Sequence, residues 1–230
     1  MKIIVTTSDK YHHLLPVFFY LYNKYWNAPF ELVGHAKPEC ELPENCTWVS
    51  LGDQTSPKDW STQLRPYFEQ QPDWFVWMME DTLIKSKVTI HPYQLDCINY
   101  ERFIGRADLT TDVMKRPHSQ TAACFLAHPK SRYRLSTQPS IWNKEFLLTY
   151  LKDGLSPWDF ETQDPKEDGW NIICWNPPPV NHNEGVRRFD IHKLNIEGMS
   201  EEDIAHIKTI YSVGTIQYTF DNPKGKIKLP

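Results

Sequence analysis

The sequence predicts a single α/β domain in which a central, mostly parallel sheet is flanked by helices. The chain has 230 residues, of which 40% are hydrophobic and 13% aromatic, and this is enough apolar mass for one core. Strand-length runs alternate with helical patterns along it, an order typical of a parallel sheet. The run 74–79, Trp-Phe-Val-Trp-Met-Met, lacks alternation of polar and apolar residues, so both faces of that strand should be buried.

The first half of the chain predicts the order βαββα ahead of the buried strand. β-branched and aromatic residues favour strands at about 2–7, 30–34 and 47–50. Apolar side chains at three- and four-residue spacing predict an amphipathic helix over 11–26, with Pro16 near its first turn. Ser56 followed by Pro57 is a typical helix start, and we expect that helix to reach about residue 70.

The second half continues with shorter elements and no repeat or linker. A capping-box pattern, Ser-Glu-Glu-Asp at 200–203, opens the last helix. The other predicted helices lie at about 86–100 and 143–152, and the other predicted strands lie at about 102–105, 121–126, 172–175 and 185–189. We therefore treat residues 1–230 as one domain.

Composition excludes several classes of protein. The formal net charge is −4, which argues against a uniformly basic nucleic-acid binder. No apolar run approaches the roughly 20 residues of a membrane helix, and the first residues do not form a signal peptide, so we expect a cytoplasmic protein. Nine glycines without a G-x-G or G-x-x-x-x-G-K pattern argue against P-loop and dinucleotide-fingerprint enzymes.

Two acidic residues, Glu80 and Asp81, follow the most apolar strand directly. In open α/β sheets ligands bind beyond the carboxyl ends of the strands, and a carboxylate there suits a metal ion or a ligand hydroxyl. The alternative interpretation is a solvated strand end with a helix-capping acid. His182, in a proline-rich loop, could bind a metal through its neutral imidazole, although most loop histidines are simply solvated.

A second acidic cluster combines carboxylates with an aromatic residue. Asp159 and Glu161 flank the aromatic positions of 155–161, next to Trp158. A Trp ring offers a flat apolar face to the C–H side of a sugar, and a carboxylate can accept a hydroxyl proton, so the combination suits carbohydrate. The alternative is a surface turn with Trp158 packed into the core.

One segment is locally basic. Residues 101–134 contain seven Lys or Arg against three Asp or Glu, and this local charge would attract a diphosphate or a nucleic-acid backbone. A solvated face is the alternative. The residues of this possible phosphate or DNA patch are Lys115, Arg116, Lys130 and Arg132.

These residues resemble a known family, the small nucleotide-sugar glycosyltransferases of the GT-A fold, similar to family 2, of bacterial surface-polysaccharide clusters and phage genomes. The resemblance runs from the first strand to about residue 189. It rests on Asp-Trp-Ser at 59–61, on the apolar strand that ends in Glu80-Asp81, and on Tyr-Arg-Leu-Ser-Thr-Gln-Pro-Ser-Ile-Trp at 133–142, which runs on to Ser-Pro-Trp-Asp-Phe-Glu at 156–161.

The resemblance implies roles for particular residues. Asp81 stands where the family has a metal-binding Asp-x-Asp aspartate, although Glu-Asp-Thr departs from that pattern, and His182 matches a late metal-ligating histidine. Glu161, or alternatively Asp159, matches the catalytic base. The implied nucleoside-binding residues are Thr6, Thr7, Ser8 and Asp9. Contacts to the sugar or acceptor are implied for Glu80, Trp158, Trp142 and Arg134.

The resemblance also implies an activity: a metal-dependent transfer, with Mn²⁺ or Mg²⁺, from a nucleoside-diphosphate sugar such as a UDP-sugar. Direct displacement with inversion is the simplest mechanism. Residues 1–110 would bind the donor and 111–230 the acceptor, which is either a glycan or hydroxymethylated bases of phage DNA. A nucleotidyltransferase would need a triphosphate loop that the sequence lacks. A non-catalytic carbohydrate-binding module would not need the acidic pair.

Overall fold

The helices lie on both sides of the sheet, as the sequence predicts. The computed structural model describes residues 1–100, 103–110, 117–120, 124–164, 167–184, 186–187, 190–212, 219–222 and 225–228. A 3₁₀ turn occupies Asp9–Leu14. The helices are α1 Leu15–Tyr25, α2 Asp59–Glu69, α3 Pro92–Tyr100, α4 Lys144–Tyr150, α5 Pro157–Glu161 and α6 Glu201–Ser212.

The described strands form three sheets. They are β1 Lys2–Thr6, β2 Phe30–Gly34, β3 Cys46–Ser50, β4 Trp74–Met79, β5 Thr82–Ile84, β6 Ile104–Asp108, β7 Pro117–Gln120, β8 Cys124–Ala127, β9 Ser140–Asn143, β10 Asn171–Trp175, β11 His182–Glu184, β12 Val186–Arg187, β13 Asp190–Asn195, β14 Thr219–Asn222 and β15 Gly225–Lys228. The largest sheet has the order β3-β2-β1-β4-β9-β6-β10-β8-β7.

The direction of these strands confirms the predicted fold class. Within the described part of the chain, seven of the nine strands run one way, and only β8 and β9 are reversed. The reversed strand β9 lies between β4 and β6, a position that the sequence did not predict. The result is a mixed α/β fold with a large, mostly parallel central sheet.

Strand β4 is buried on both faces, which confirms the prediction from its unbroken apolar run. Val76 and Met78 pack on the side of α1, whereas Phe75 and Trp77 pack on the side of α2, α4 and α5. All four side chains are at most 1% exposed. Fully burying an aliphatic or Phe side chain contributes about 1.5–3 kcal/mol relative to leaving it in water. Strand β4 therefore forms the centre of the core, and this packing fixes the positions of the residues at both of its ends.

Helix α6 is fastened to α1 by one buried carboxylate, Asp203. The Tyr25 hydroxyl and the Ser200 hydroxyl donate to its Oδ2 at 2.5 and 2.7 Å, and Tyr20 and the Lys24 ammonium donate to Oδ1 at 3.0 and 2.9 Å. Burial opposes ionisation of the group, yet these donors hold the pKa of Asp203 below its ordinary value. Both oxygens of this carboxylate are therefore fully occupied.

Some predicted boundaries differ from the structure. The helix predicted from residue 86 begins only at Pro92, because the Val88 amide bonds instead to the Tyr25 carbonyl at 2.9 Å and holds the preceding segment against α1. The strand predicted near 185–189 is found as β11 and β12, and residues 185 and 188–189 lie outside the described chain. Residues 102 and 121–123 of two predicted strands also lie outside it. In the described chain, no helix combines the length and apolarity of a membrane span.

Candidate functional site

The carboxyl ends of neighbouring parallel strands place two loops side by side. Thr6, at the end of β1, pairs with Met79 at the end of β4. The polar loop 6–9 and the acidic turn at 80–81 therefore start from the same edge of the sheet. Because β9 runs the other way, the segment before Ser140 reaches this edge too. Ligands of open α/β sheets bind at this kind of edge.

Glu80 joins the two loops. Its side chain is 1% exposed, and its Oε1 accepts hydrogen bonds from the Ser8 amide at 3.0 Å and from the Thr7 hydroxyl at 3.3 Å. Its Oε2 is buried with no hydrogen-bond partner among the described residues. Burial, together with the negative charge of Asp81, raises the pKa of Glu80 to about 8. The group is thus largely neutral at pH 7 and has one oxygen still to satisfy.

The loop 6–9 is also fixed from its other side. Gly34, at the end of β2, approaches it so closely that a Cβ there would lie 2.8 Å from Thr7 Cγ2. The Asp9 carboxylate accepts a hydrogen bond from the Ala36 amide at 3.1 Å. The Thr6 hydroxyl accepts one from the buried Trp77 indole at 3.0 Å. Thr7, Ser8 and Asp9 thus lie in a preformed loop, and the hydrogen bond between Thr6 and Trp77 anchors the start of this loop to β4.

Tyr11 is a residue that sequence reasoning missed at this edge. It lies in the 3₁₀ turn that follows the loop, and its amide donates to the Ser8 carbonyl at 2.7 Å. Burial raises the pKa of the Tyr11 hydroxyl, and the charges of Asp81 and Glu80 raise it further. Its phenol therefore lies within electrostatic range of both acidic groups. Its position two residues after the predicted loop was the signal that could have identified it.

The two predicted metal ligands lie on one small ribbon. Asp81 precedes β5, and His182 opens β11, which pairs with β5 so that His182 faces Ile84 and Glu184 faces Thr82. The register therefore brings Glu184, rather than His182, next to the turn that contains Asp81. Burial and the nearby Lys85 ammonium lower the pKa of His182 to about 4, so its imidazole is neutral at pH 7.

The residues at this edge fit a metal ion only as a site with one protein carboxylate, Asp81. Within the described residues, no three His, Cys, Asp or Glu side chains come together as a metal site. Mg²⁺ is commonly held by one or two carboxylates together with the phosphates of a substrate, and Asp81 suits that arrangement. A closed, all-protein metal cage is not supported by the described part of the chain.

Glu161 reaches the same edge through Thr137. Its Oε1 accepts hydrogen bonds from the Thr137 amide and from the Thr137 hydroxyl, both at 2.6 Å. The same hydroxyl oxygen lies 3.2 Å from Met79 Sδ, at the end of β4. These contacts connect Glu161 to the strand that carries Glu80. Thr137 itself was not predicted as a site residue, although it belongs to the 133–142 segment.

Asp159 and Trp158 occupy different positions on the same short helix. Asp159 forms the capping box of α5: its Oδ2 accepts from the Ser156 amide at 3.0 Å and from the Ser156 hydroxyl at 2.8 Å. The Asp159 carboxylate is therefore used to cap the helix, and acting as a base would require it to give up these hydrogen bonds. Trp158 is 65% exposed rather than packed into the core. It lies three residues before Glu161, and side chains at that spacing share a helix face.

Two predicted contact residues are instead structural. Trp142 has no exposed surface and packs against Trp77, so no sugar can reach its ring, and the predicted contact is wrong. Arg134 is 4% exposed, and its two terminal nitrogens bond to both carboxylate oxygens of Asp168 at 2.8 and 2.9 Å and to the Trp170 carbonyl at 2.7 Å. Its guanidinium is committed to this buried ion pair, so the predicted sugar or acceptor contact is wrong as well.

The basic segment is only partly described. Lys130 is exposed and lies 3.5 Å from the Glu167 carboxylate, which offsets its charge, and Arg132 is exposed. Lys115 and Arg116 lie outside the described residues. A continuous basic surface is therefore not part of the described structure.

Comparison with known proteins finds a similarity to a solved structure. No protein-family model matches the chain, and no curated protein matches it. Among solved structures, the chain is similar to the crystal structure of an active-site mutant of LgtC, with 10% sequence identity and a TM-score of 0.37. The matched region covers 65% of this chain and 59% of that chain. A likeness at this level assigns no role to any residue.

Proposed function

We propose that this chain is a glycosyltransferase that moves a sugar from a nucleoside-diphosphate sugar to an acceptor hydroxyl. One observation carries the proposal. At the carboxyl end of β4, Glu80 fastens the loop 6–9, Asp81 follows directly, and Thr137 brings Glu161 to Met79. A polar loop, a carboxylate for a cation and a second carboxylate for a proton are the groups that this reaction needs.

The loop would bind the nucleoside part of the donor. Thr7, Ser8 and Asp9 supply backbone and side-chain groups in a fixed geometry, so little entropy is lost on binding. The unpartnered Oε2 of Glu80 can bond a ligand hydroxyl. Because the raised pKa keeps Glu80 largely neutral at pH 7, it adds little repulsion toward a diphosphate.

Asp81 would hold a divalent cation, Mn²⁺ or Mg²⁺, together with oxygens of the diphosphate; His182 lies toward the other end of the ribbon and is not among these ligands. When bound, such a cation stabilises the negative charge on the departing diphosphate. Tyr11, within electrostatic range of Asp81 and Glu80, can donate its phenolic proton in a hydrogen bond to the ligand. The departing group thus meets a cation-binding carboxylate and a hydrogen-bond donor on one side of the loop.

Glu161 would be the base. Thr137 fixes its Oε1 with two short hydrogen bonds, and this leaves Oε2 to take the proton from the acceptor hydroxyl. The acceptor oxygen forms the new bond to the anomeric carbon, and the carbon–oxygen bond to the diphosphate breaks with its electron pair on the leaving group. With one base opposite the leaving group, direct displacement with inversion is the simplest course. The exposed Trp158 ring, on the same helix face, gives the sugar an apolar surface.

The test is a screen of UDP-, GDP- and CDP-sugars for thermal stabilisation and for donor hydrolysis, with and without Mn²⁺. A bound donor should raise the melting temperature, and hydrolysis should accompany it. Glu161→Gln should keep the stabilisation and lose at least about 100-fold in turnover, because an amide cannot accept the proton. Asp81→Asn should lose both turnover and the effect of Mn²⁺.

Asp159→Asn is the matched control for Glu161→Gln, since the two acids lie on one helix. We expect it to lower the melting temperature while turnover by the folded protein remains. An inactive Asp159→Asn beside an active Glu161→Gln would exchange the two roles. Stabilisation by sugars without any turnover would favour a carbohydrate-binding module, and no response to any donor would reject the proposal.

A further inference from the structure

We propose that Arg106 is a positioning residue that holds Glu161 in place through one peptide group of the segment 136–137. This inference rests on the proposed function, in which Glu161 is the base. Arg106 lies on β6, and its side chain is 0% exposed. Its Nη1 donates a hydrogen bond to the Ser136 carbonyl at 2.6 Å. A fully buried guanidinium is thus bonded to the segment that holds the proposed base.

A single peptide group connects the two side chains. The carbonyl of Ser136 and the amide of Thr137 belong to the same planar unit, so they cannot turn independently of each other. The carbonyl accepts from Arg106 at 2.6 Å on one side. On the other side, the amide donates to Oε1 of Glu161, also at 2.6 Å. Any displacement of this carbonyl therefore displaces the amide that holds the carboxylate.

The charge of the guanidinium strengthens this chain of hydrogen bonds. A cation at the carbonyl oxygen polarises the peptide group and makes its amide a better donor, and such cooperativity adds roughly 10–30% per bond. Hydrogen bonds with one ionised partner are also shorter and stronger than neutral ones. Arg106 thus acts on both the position and the strength of the bond that fixes Oε1 of Glu161. Oε2 then remains for the proton of the acceptor.

Neighbouring strands hold the guanidinium itself. Its Nε donates to Oδ1 of Asp108, two residues further along β6, at 2.6 Å, and its Cζ lies 4.9 Å from the centroid of the Trp142 ring. Asp108 is 1% exposed and also accepts from the Ser140 hydroxyl at 3.2 Å. On β9, Trp142 and Ser140 lie opposite Arg106 and Asp108. The guanidinium therefore has a fixed place that does not depend on the segment 136–137.

Stability alone does not require this buried ion pair. Taking a guanidinium and a carboxylate out of water costs several kcal/mol per ion, and apolar pairs of similar volume are often equally stable or more so. Phe75, Trp77 and Trp142 form the core on the same face of the sheet. An arginine in this aromatic layer is better explained by its bond to the Ser136 carbonyl than by packing.

The first measurement is the signal of the Thr137 amide in ¹H–¹⁵N NMR spectra of the ligand-free full chain. A short hydrogen bond to a carboxylate moves an amide proton downfield. Arg106→Met should move this proton upfield and lower its protection from hydrogen exchange about tenfold relative to the amides of β4. Asp108→Asn is the matched control, because it breaks the same ion pair but leaves the bond to the Ser136 carbonyl. It should keep the Thr137 signal of the wild type.

The second measurement is donor hydrolysis, with the nucleotide sugar that raises the melting temperature most. Arg106→Met should lower kcat about 10- to 100-fold with KM almost unchanged, because a reacting group displaced by about 1 Å can cost 100-fold. Asp108→Asn should lower the melting temperature and keep kcat. If Arg106→Met does not fold, Arg106→Met/Asp108→Asn removes both charges, and the same two measurements are made on it.

Two outcomes would overturn the inference. They are an unmoved Thr137 amide in Arg106→Met, or equal losses of kcat in Arg106→Met and Asp108→Asn. The amide also separates this inference from the proposed function. A wild-type protein that hydrolyses no donor rejects only the transferase, and the Thr137 amide then decides by itself whether Arg106 holds Glu161. Hydrolysis that persists in Arg106→Met beside an unmoved amide overturns only the role of Arg106.

Discussion

Two carboxyl groups of this molecule, Glu80 and Asp203, are both buried, but their pKa values are shifted in opposite directions. Asp203 is 0% exposed, has four side-chain donors on its two oxygens, and has a lowered pKa. Glu80 is 1% exposed, has donors on one oxygen only, and has a raised pKa. Burial alone therefore does not decide the charge of a carboxyl group, because hydrogen-bond donors and neighbouring charges also act on its pKa. Asp203 thus serves as a structural joint, whereas Glu80 keeps one oxygen available to a ligand.

The largest expected effect is on the structural side of this comparison. Asp203→Ala should lower the free energy of unfolding by about 3–5 kcal/mol, because it leaves the Lys24 ammonium and three hydroxyls without their acceptor. Urea denaturation measures the loss. Glu202→Ala is the matched control, since Glu202 also lies 2.9 Å from Lys24 but is 78% exposed, and it should cost less than about 1 kcal/mol. Equal losses of unfolding free energy in both variants would show that the buried carboxylate of Asp203 is no more important than the exposed one of Glu202.

The next effect is a pH dependence of stability at Glu80. Its folded pKa of about 8 lies above the ordinary value, so the neutral form is favoured and stability is lost as pH rises from about 4.5 toward 8. Glu80→Gln cannot ionise, so between pH 5 and pH 9 it should become more stable than the wild type by on the order of 2–4 kcal/mol. Urea denaturation at the two pH values measures this. Parallel behaviour of the two proteins would contradict the raised pKa.

Asp203→Asn sharpens the same comparison because its pH dependence should have the opposite sign. The lowered pKa of Asp203 means that its stabilisation is present above about pH 4 and is lost as pH falls through the folded pKa. The variant should therefore be less stable than the wild type at pH 7, and the difference should shrink in acid. A constant difference from pH 7 to pH 3 would speak against an ionised Asp203.

A smaller effect is expected from single donors of Asp203. Tyr25→Phe removes the shortest contact, 2.5 Å from the hydroxyl to Oδ2, and should cost about 1.5–2 kcal/mol of stability. Tyr20→Phe removes a 3.0 Å contact and should cost less. Thermal unfolding ranks the two variants. If Tyr20→Phe proved the more damaging, the lengths of the two hydrogen bonds would not rank the donors of Asp203.

The smallest effect is expected at the loop 6–9, the proposed nucleoside site. Thr7→Val removes the 3.3 Å hydrogen bond to Glu80 and should raise the KM for a nucleotide sugar about threefold to fivefold, with kcat almost unchanged. Thr7→Ser keeps the hydroxyl and should restore the KM. Donor hydrolysis kinetics separate the two constants. A loss in kcat alone would place Thr7 in the chemical step instead.

Local patterns predicted much of the fold. The unbroken apolar run gave strand β4, and the acids after it gave the edge at which Glu80 and Asp81 lie. These features depend on neighbours in the sequence, so periodicity and residue type are sufficient. The position of β9 between β4 and β6 could not be predicted in this way. Its four residues pair with strands more than 30 residues away, and such pairing leaves no local signal.

The site was predictable in part for the same reason. Arg134 stands in a distinctive segment, but only the fold shows that Asp168, 34 residues later, occupies its guanidinium. Trp142 looks like a sugar platform in the sequence, whereas packing places it in the core. Conversely, Thr137 has neither a charge nor an aromatic ring, so its residue type did not indicate a functional role. Its importance comes from the contact to Glu161, which depends on the tertiary structure.

The β5–β11 ribbon has a consequence for the synthesis of the chain. It joins Ile84 to His182, about 100 residues apart. Likewise, β4 can pair with β9 only after β9 has been synthesised, some 60 residues later. A nascent chain of the first 110 residues already contains the loop 6–9, Glu80 and Asp81, but it lacks Thr137 and Glu161. The group of contacts at the edge of the sheet is therefore assembled only after residue 161 has been made, and the ribbon only after His182 has been added.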